Sequence, residues 1–378
     1  MTRWNNGTDR VPTVSPDITD ETNALPARYL TDPDVKMEKE KIFSRYWVYA
    51  GHANCVPDPG DYFTRAVGDK QVIVARDEDG AVRAFYDVCA HRGSRMVDDT
   101  PVTDPGNMGR IRCPSHLWTC NLNGDLQSTP RSFEETNLNP NLDDSSVSGV
   151  DPDENGLMEV TTDTIGPLTF LNFADDPPLS LAERAGTLQS RLESLPSAEY
   201  EHARRYVSEV ECNSKTFGGN YSKCDHFEAA HREWITGIQL DESELEVNDY
   251  HRVLHYTDEA DVEDELRIHD EHEAQFQYFW HSTLNTYGTA DGYGTYIIDP
   301  IDESRFQLIA DYHFADPDLS ETDAEFIRTS RRLQEEEFEL VERQYEALRS
   351  GALAQGQLGS NEHILHRFHR LAQEAYNA

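Results

Sequence analysis

Two short segments hold the residues best suited to chemistry. One reads DVCAHRGSRM and the next RCPSHLWTC, so a cysteine stands just before a histidine twice, as Cys89-x-His91 and Cys113-x-x-His116. The chain has six cysteines in 378 residues, and a disulfide between two of them would need neither histidine. A shared metal centre needs all four. Structural zinc sites usually draw their ligands from C-x2-4-C and H-x3-5-H pairs, whereas here each loop gives one thiolate and one imidazole. That distribution suits a 2Fe–2S cluster in which one iron takes two Cys and the other two His. Gly93 and Pro114 shape the loops, and Trp118 is placed to shield the cluster from water.

A cluster of this kind moves one electron, so the chain needs something to receive it. The candidate segment is NSKTFGGNYSKCDHFEAAH, with His226 and His231. Non-haem iron oxygenases hold Fe(II) on two His and one carboxylate, leaving positions open for O2. Two histidines at this spacing are also unremarkable in themselves. On an ideal helix they lie about 140° apart, so both reach one metal only if the helix distorts or ends between them. The third ligand should be a carboxylate far downstream, and LQEEEFELVERQYEALRSG offers several. Leu333, Val341, Tyr345 and Leu348 share one helical face with Glu337 in the middle of the stripe. Glu335 and Glu336 fall instead beside Arg331 and Arg332, where a solvated ion pair suffices. A carboxylate within an apolar stripe is costly unless paired or metal-bound.

The elements that must position these residues read as α+β. Residues 1–45 are a polar N-terminal segment followed by a helical stretch, expected to pack on the catalytic domain. Residues 46–156 form a small antiparallel-β domain, with both Cys/His pairs in loops between strands. Its short extended runs are broken by turn signals, and Asp79-Gly80 and Asn123-Gly124 predict hairpins. Residues 157–378 form the second domain: alternating strands that place Phe276, Tyr278 and Trp280 on one face, then helices over roughly 321–349 and 361–376. Strands followed by packing helices give the α+β class.

With these residues in view, the chain resembles the α subunits of Rieske non-haem iron oxygenases, the aromatic ring-hydroxylating and choline monooxygenase-like family. CAHRG and CPSHLW match that family's C-x-H-R-G and C-P-x-H-x-W, with a long spacer and Leu117 where the family tends to have Gly. The resemblance runs from about residue 24 to the C-terminus. It implies a Rieske 2Fe–2S domain plus a helix-grip catalytic domain, with Cys89, His91, Cys113 and His116 as cluster ligands. The family's H-x4-H spacing, preceded by N-x-K and N-Y/F, is matched by Asn213, Lys215, Asn220 and Tyr221 ahead of His226 and His231. Glu337 aligns with the iron-binding Asp, one methylene longer. Lys223 stands where the family carries a carboxylate that bridges electron flow between subunits, so Asp225 is expected to take over that catalytic role. The resemblance further implies a homotrimer and electrons from a separate ferredoxin or NAD(P)H-dependent reductase. The reaction implied is O2-dependent hydroxylation or oxidative demethylation of a small aromatic or quaternary-ammonium substrate. The alternative is a Rieske electron carrier or redox sensor with a degenerate mononuclear site.

Composition narrows the setting. Hydrophobic content of 37% and five Trp indicate a folded globular chain. Against 71 Asp and Glu stand 33 Lys and Arg, for a net charge of -38, and lysine occurs only at 36, 39, 41, 70, 215 and 223. The acidic excess is spread along the chain, as in adaptation to high salt, and it excludes the basic stripes that bind nucleic acid. No apolar run is long enough to span a membrane, and the N-terminus lacks a signal core, so a cytoplasmic location is expected. There the cysteines serve as metal ligands or buried thiols. No GxxxxGKS/T or strand-GxGxxG-helix unit is present, which places any nicotinamide or flavin on another chain.

Overall fold

The computed structural model describes residue 14 and residues 22–31, 35–129, 150–194, 199–221, 239–247, 251–257, 274–278, 282–283 and 292–377. The chain divides into two compact units, Tyr46–Glu183 and Met1–Arg45 with Arg184–Ala378.

In the first unit the strands are β1 (Val48–His52), β2 (Asp61–Val67), β3 (Lys70–Arg76), β4 (Val82–Tyr86), β5 (Gly106–Asn107), β6 (Ile111–Arg112), β7 (Thr119–Cys120), β8 (Leu126–Ser128), β9 (Glu159–Ile165) and β10 (Leu168–Asn172). Seven of them form an antiparallel sheet ordered β1-β10-β9-β4-β3-β2-β5, and β6-β7-β8 form a second sheet. The interior strand β3 is apolar on both faces because both are covered. Val72 and Val74 pack with Phe63 and Leu171. Ile73 and Ala75 pack with Phe85, Met96, Cys89 and Cys113. Both predicted hairpin signals are turns: Gly80 has φ 85° and Gly124 φ 92°, the left-handed region that glycine enters without a steric penalty.

Strand pairing carries the first compact unit past residues 156/157, where the sequence suggested a boundary. β9 pairs with β4, Val160 opposite Ala84, and β10 pairs with β1, Phe170 opposite Tyr49. These two strands close the first unit's sheet instead of opening the second, so the unit runs to Glu183.

The second unit holds β11 (Glu201–Val210), β12 (Gln239–Val247), β13 (His251–Thr257), β14 (Ala274–Tyr278), β15 (Ser282–Thr283), β16 (Gly292–Pro300) and β17 (Phe306–Phe314), with helices α1 (Ser214–Tyr221), α2 (Glu321–Arg349) and α3 (His363–Asn377). Its sheet is ordered β11-β17-β16-β15-β14-β13-β12. One face of β16 and β17, with Tyr296, Ile298, Leu308, Ala310 and Tyr312, packs with Phe217 of α1 and with Ile327, Val341 and Tyr345 of α2. A capping box starts α2: the Ser320 hydroxyl accepts from Asp323 N, and the Asp323 carboxylate accepts from Ser320 N. The helix ends before Gly351, φ 72°. Near the N-terminus, Thr22–Asn23 pairs with Gln357–Leu358.

Candidate metal centres

The two Cys/His loops have the same backbone construction. In the first, Cys89 N donates to Ser94 O at 2.8 Å and Gly93 N to Cys89 O at 2.9 Å. In the second, Cys113 N donates to Trp118 O at 2.8 Å and Leu117 N to Cys113 O at 3.0 Å. The fifth residue of each turn has positive φ, Gly93 at 73° and Leu117 at 60°. Each loop thus places its cysteine at the first position of an equivalent turn, and the histidine follows at the third or the fourth.

The Ser94 and Ser115 hydroxyls join the loops at 2.7 Å. Cys89 and Cys113 are buried within the unit's core, while His91 and His116 are exposed. The two imidazoles stand edge to face with ring centroids 4.7 Å apart, and Trp118 stacks on His91 at 4.8 Å and 10°. Burial pushes the Cys89 thiol up. At Cys113 burial acts the same way, but the N–H groups of His116 and Ser115, the Cys89 thiol and the Ser115 hydroxyl outweigh it and hold that thiol below its ordinary range.

Asp87 pins the first loop from beneath. Its buried carboxylate accepts from Met96 N at 2.6 Å, Val97 N at 3.2 Å and the Arg95 guanidinium at 2.7 Å. Sequence reading passed over Asp87; a carboxylate two residues before the first cysteine was its one available signal.

This donor set fits a 2Fe–2S cluster. The sulfurs lie inward and the imidazoles outward, two donors per iron, with loop N–H groups directed at the sulfurs. Among the described residues no three His, Cys, Asp or Glu side chains gather around a single-ion site.

In the second unit Glu337 is buried on α2, with Ser330 and Gln334 on the same face. Its Oε1 accepts from the Asn220 amide of α1 at 2.5 Å. Leu333 and Leu348 of the expected stripe are half-buried flanks. Glu335 pairs with Arg331 at 3.6 Å, as its position implied. Asp311 is also buried, but Arg205 binds both of its oxygens at 2.6 Å and His202 a third time at 3.0 Å, so it is fully engaged. His226, His231, Asp225 and Lys223 lie outside the described residues, as do Trp280 and the side chains of Phe276 and Tyr278.

Residues 46–138 match the Rieske [2Fe-2S] domain family, and residues 197–378 match the catalytic domain of the ring hydroxylating alpha subunit. Among curated proteins, the carnitine monooxygenase oxygenase subunit of Escherichia coli K12 is 26% identical over 373 residues, covering 93% of each chain. The chloroplastic choline monooxygenase of Spinacia oleracea is 25% identical, covering 96% of this chain and 80% of that one. Among solved structures, a quaternary ammonium Rieske monooxygenase in complex with L-carnitine superposes with a TM-score of 0.78 at 22% identity, covering 94% of this chain and 96% of the other. A naphthalene 1,2-dioxygenase variant bound to phenanthrene gives 0.73 at 18% identity, covering 96% and 94%.

Proposed function

Since the chain belongs to the Rieske oxygenase α subunits, with an N-terminal Rieske domain and a ring-hydroxylating catalytic domain, we propose that it is the terminal oxygenase of a multicomponent system whose substrate is a small quaternary ammonium compound. Carnitine and choline monooxygenases match it along nearly its whole length, which supports that substrate class over aromatics. In this reading Cys89 and Cys113 hold one cluster iron and His91 and His116 the other, while His226, His231 and Glu337 hold the mononuclear Fe(II). Bound there, the two groups supply one-electron transfer and O2 activation.

The rest falls to the chain. The loop N–H groups and the Ser115 hydroxyl steady negative charge on the sulfurs. The exposed imidazoles form the face through which an electron enters or leaves. The Asn220 amide holds Glu337 Oε1, which fixes the rotation of a carboxylate one methylene longer than Asp. Asp225 serves as the acceptor between imidazole N–H groups, a role closed to Lys223 because an ammonium only donates. Electrons come from a reductase or ferredoxin. We further infer a homotrimer, a cytoplasmic location and a salt-adapted host. Among the described residues no helix is long and apolar enough to cross a membrane.

The observation that carries the oxygenase reading is Glu337, a buried carboxylate held by Asn220 on the helix next to the one that leads into His226 and His231. Purified protein should contain about three irons per chain, and Glu337→Ala should lower that to about two with the cluster spectrum intact. Two irons in the unmodified protein would indicate an electron carrier instead. Oxygen uptake with a reductase and carnitine, choline or glycine betaine, set beside small aromatics, tests the substrate class.

A further inference from the structure

α1 is held by apolar packing along its length and by polar contacts toward both ends. Phe217 packs on Phe306 at 5.0 Å and on Phe338 at 5.9 Å. Gly218 and Gly219 face α3: an added Cβ would come within 3.2 Å of Phe368 and 3.1 Å of Leu365, respectively. Glycines at those two positions leave no ridge to fit into a groove of α3, and ridges in grooves are what normally set the slip between packed helices. Two side-chain polar contacts of α1 reach other helices. At the far end Asn220 donates to Glu337. At the near end Lys215 is buried, its ammonium 2.5 Å from Glu38 Oε1.

Glu38 also accepts from the Tyr376 hydroxyl, and the backbone carbonyl of Tyr376 accepts from Lys41 at 2.9 Å. A segment near the N-terminus, α1 and the last turn of α3 therefore meet on one carboxylate. Burying such a pair is poor value for stability, since apolar replacements of similar volume are often neutral or better. In a chain with only six lysines, its use here calls for another reason.

We propose that the Glu38–Lys215 pair, closed by Tyr376, sets the axial register of α1 against α3, and that Lys215 and Glu38 are thereby positioning residues for the mononuclear iron site. Along a helix that rises about 1.5 Å per residue, a slip at Lys215 is carried undiminished to Asn220 and so to Glu337. The inference rests on the reading of Glu337 as an iron ligand.

The test uses the full-length holoprotein with Lys215→Met, Glu38→Met and Tyr376→Phe combined, so that no charge or donor is left orphaned. The expected result is a cooperative melt, an unchanged cluster spectrum and sulfide content, and Fe(II) rebinding at the chelator-stripped mononuclear site weakened about 10- to 100-fold, the usual effect of losing a partner that orients a ligand. Fe(II) affinity equal to the unmodified protein's would overturn the register role. If the triple variant does not fold, Glu38→Asp decides: it keeps the charge but shortens the arm, and Fe(II) affinity should drop with the cluster intact, whereas no change counts against the proposal. Glu337→Ala, run alongside, separates the two ideas. Iron retained in that variant removes the ligand reading, while the register claim is judged by the triple variant's affinity alone.

Discussion

At residue scale, the cluster loops show why some positions were legible and others were not. The four proposed cluster ligands stand out in two short segments by type and spacing, because a disulfide would leave both histidines without a role. That both loops are the same turn became visible only in the backbone, through matching hydrogen bonds and the positive φ of Gly93 and Leu117. This explains the glycine preference at position 117: a left-handed conformation costs a residue with Cβ roughly 1–2 kcal/mol. The two positions make opposite predictions. Leu117→Gly should raise the melting temperature of the loaded protein, with relief of about 1 kcal/mol less what is lost in apolar contact. Gly93→Ala should lower it by a similar amount, although no atom lies within 4 Å of the added Cβ, because only the backbone is strained. If both variants melt in the same direction, backbone strain is not what distinguishes the two loops.

At element scale, local pattern fixed each strand or helix better than it fixed its partners. α2 runs Glu321–Arg349, as read from the sequence, whereas its capping box at Ser320 became visible only in the structure. The alternation in residues 159–172 says strand, but its partners sit far back in the chain, and nothing local reveals that pairing. The Glu38–Lys215 and Asn220–Glu337 contacts span 177 and 117 residues and were equally hidden, although the Asn and Lys positions themselves had stood out by resemblance. One such long-range contact carries a pH prediction. Asp311 of β17 is buried, which alone would raise its pKa, but the bonds from Arg205 and His202 of β11 outweigh burial and hold it well below the usual carboxylate range. A depressed carboxylate contributes stability that is complete above its unfolded pKa, near 3.9, and is lost as the pH falls through the folded value. The β11–β17 tie should therefore hold from neutral pH down to about 4 and fail only below that. Arg205→Ala should cost about 3–5 kcal/mol at pH 7 by stranding a buried carboxylate, and Arg205→Ala with Asp311→Asn should recover part of it. Chemical denaturation at pH 7 and at pH 3 measures both. An acid loss already present at pH 5 would point to a different group.

At the scale of the whole molecule, 71 acidic against 33 basic residues leave most carboxylates without a cation, and the arginines are shared accordingly. Arg328 contacts Glu321 and Glu325, Arg95 contacts Asp87 and Asp99, Arg83 contacts Asp77 and Glu159, and Arg305 contacts Asp302 and Glu209. Two effects of salt then oppose each other. Screening weakens these ion pairs, but an exposed pair contributes only about 0–1 kcal/mol. Screening also relieves the repulsion among the charges behind a net of -38. That repulsion acts between every like pair within a Debye length, about 3 Å at 1 M salt and about 30 Å at 0.01 M. At the lower concentration a charge feels others across a whole unit, and repulsion prevails because it sums over many pairs while each bridge counts only once. The melting temperature should therefore fall as potassium chloride is diluted from about 1 M toward about 0.01 M. The fall should steepen near the end of the dilution, where the screening length reaches the size of a unit. Sodium sulfate strengthens apolar burial as well as screening charge, so chloride is the cleaner probe. A melting temperature flat across that range, or one that rises on dilution, would show that local ion pairs rather than the summed field govern this surface, and the reading of the acidic excess as salt adaptation would fall with it.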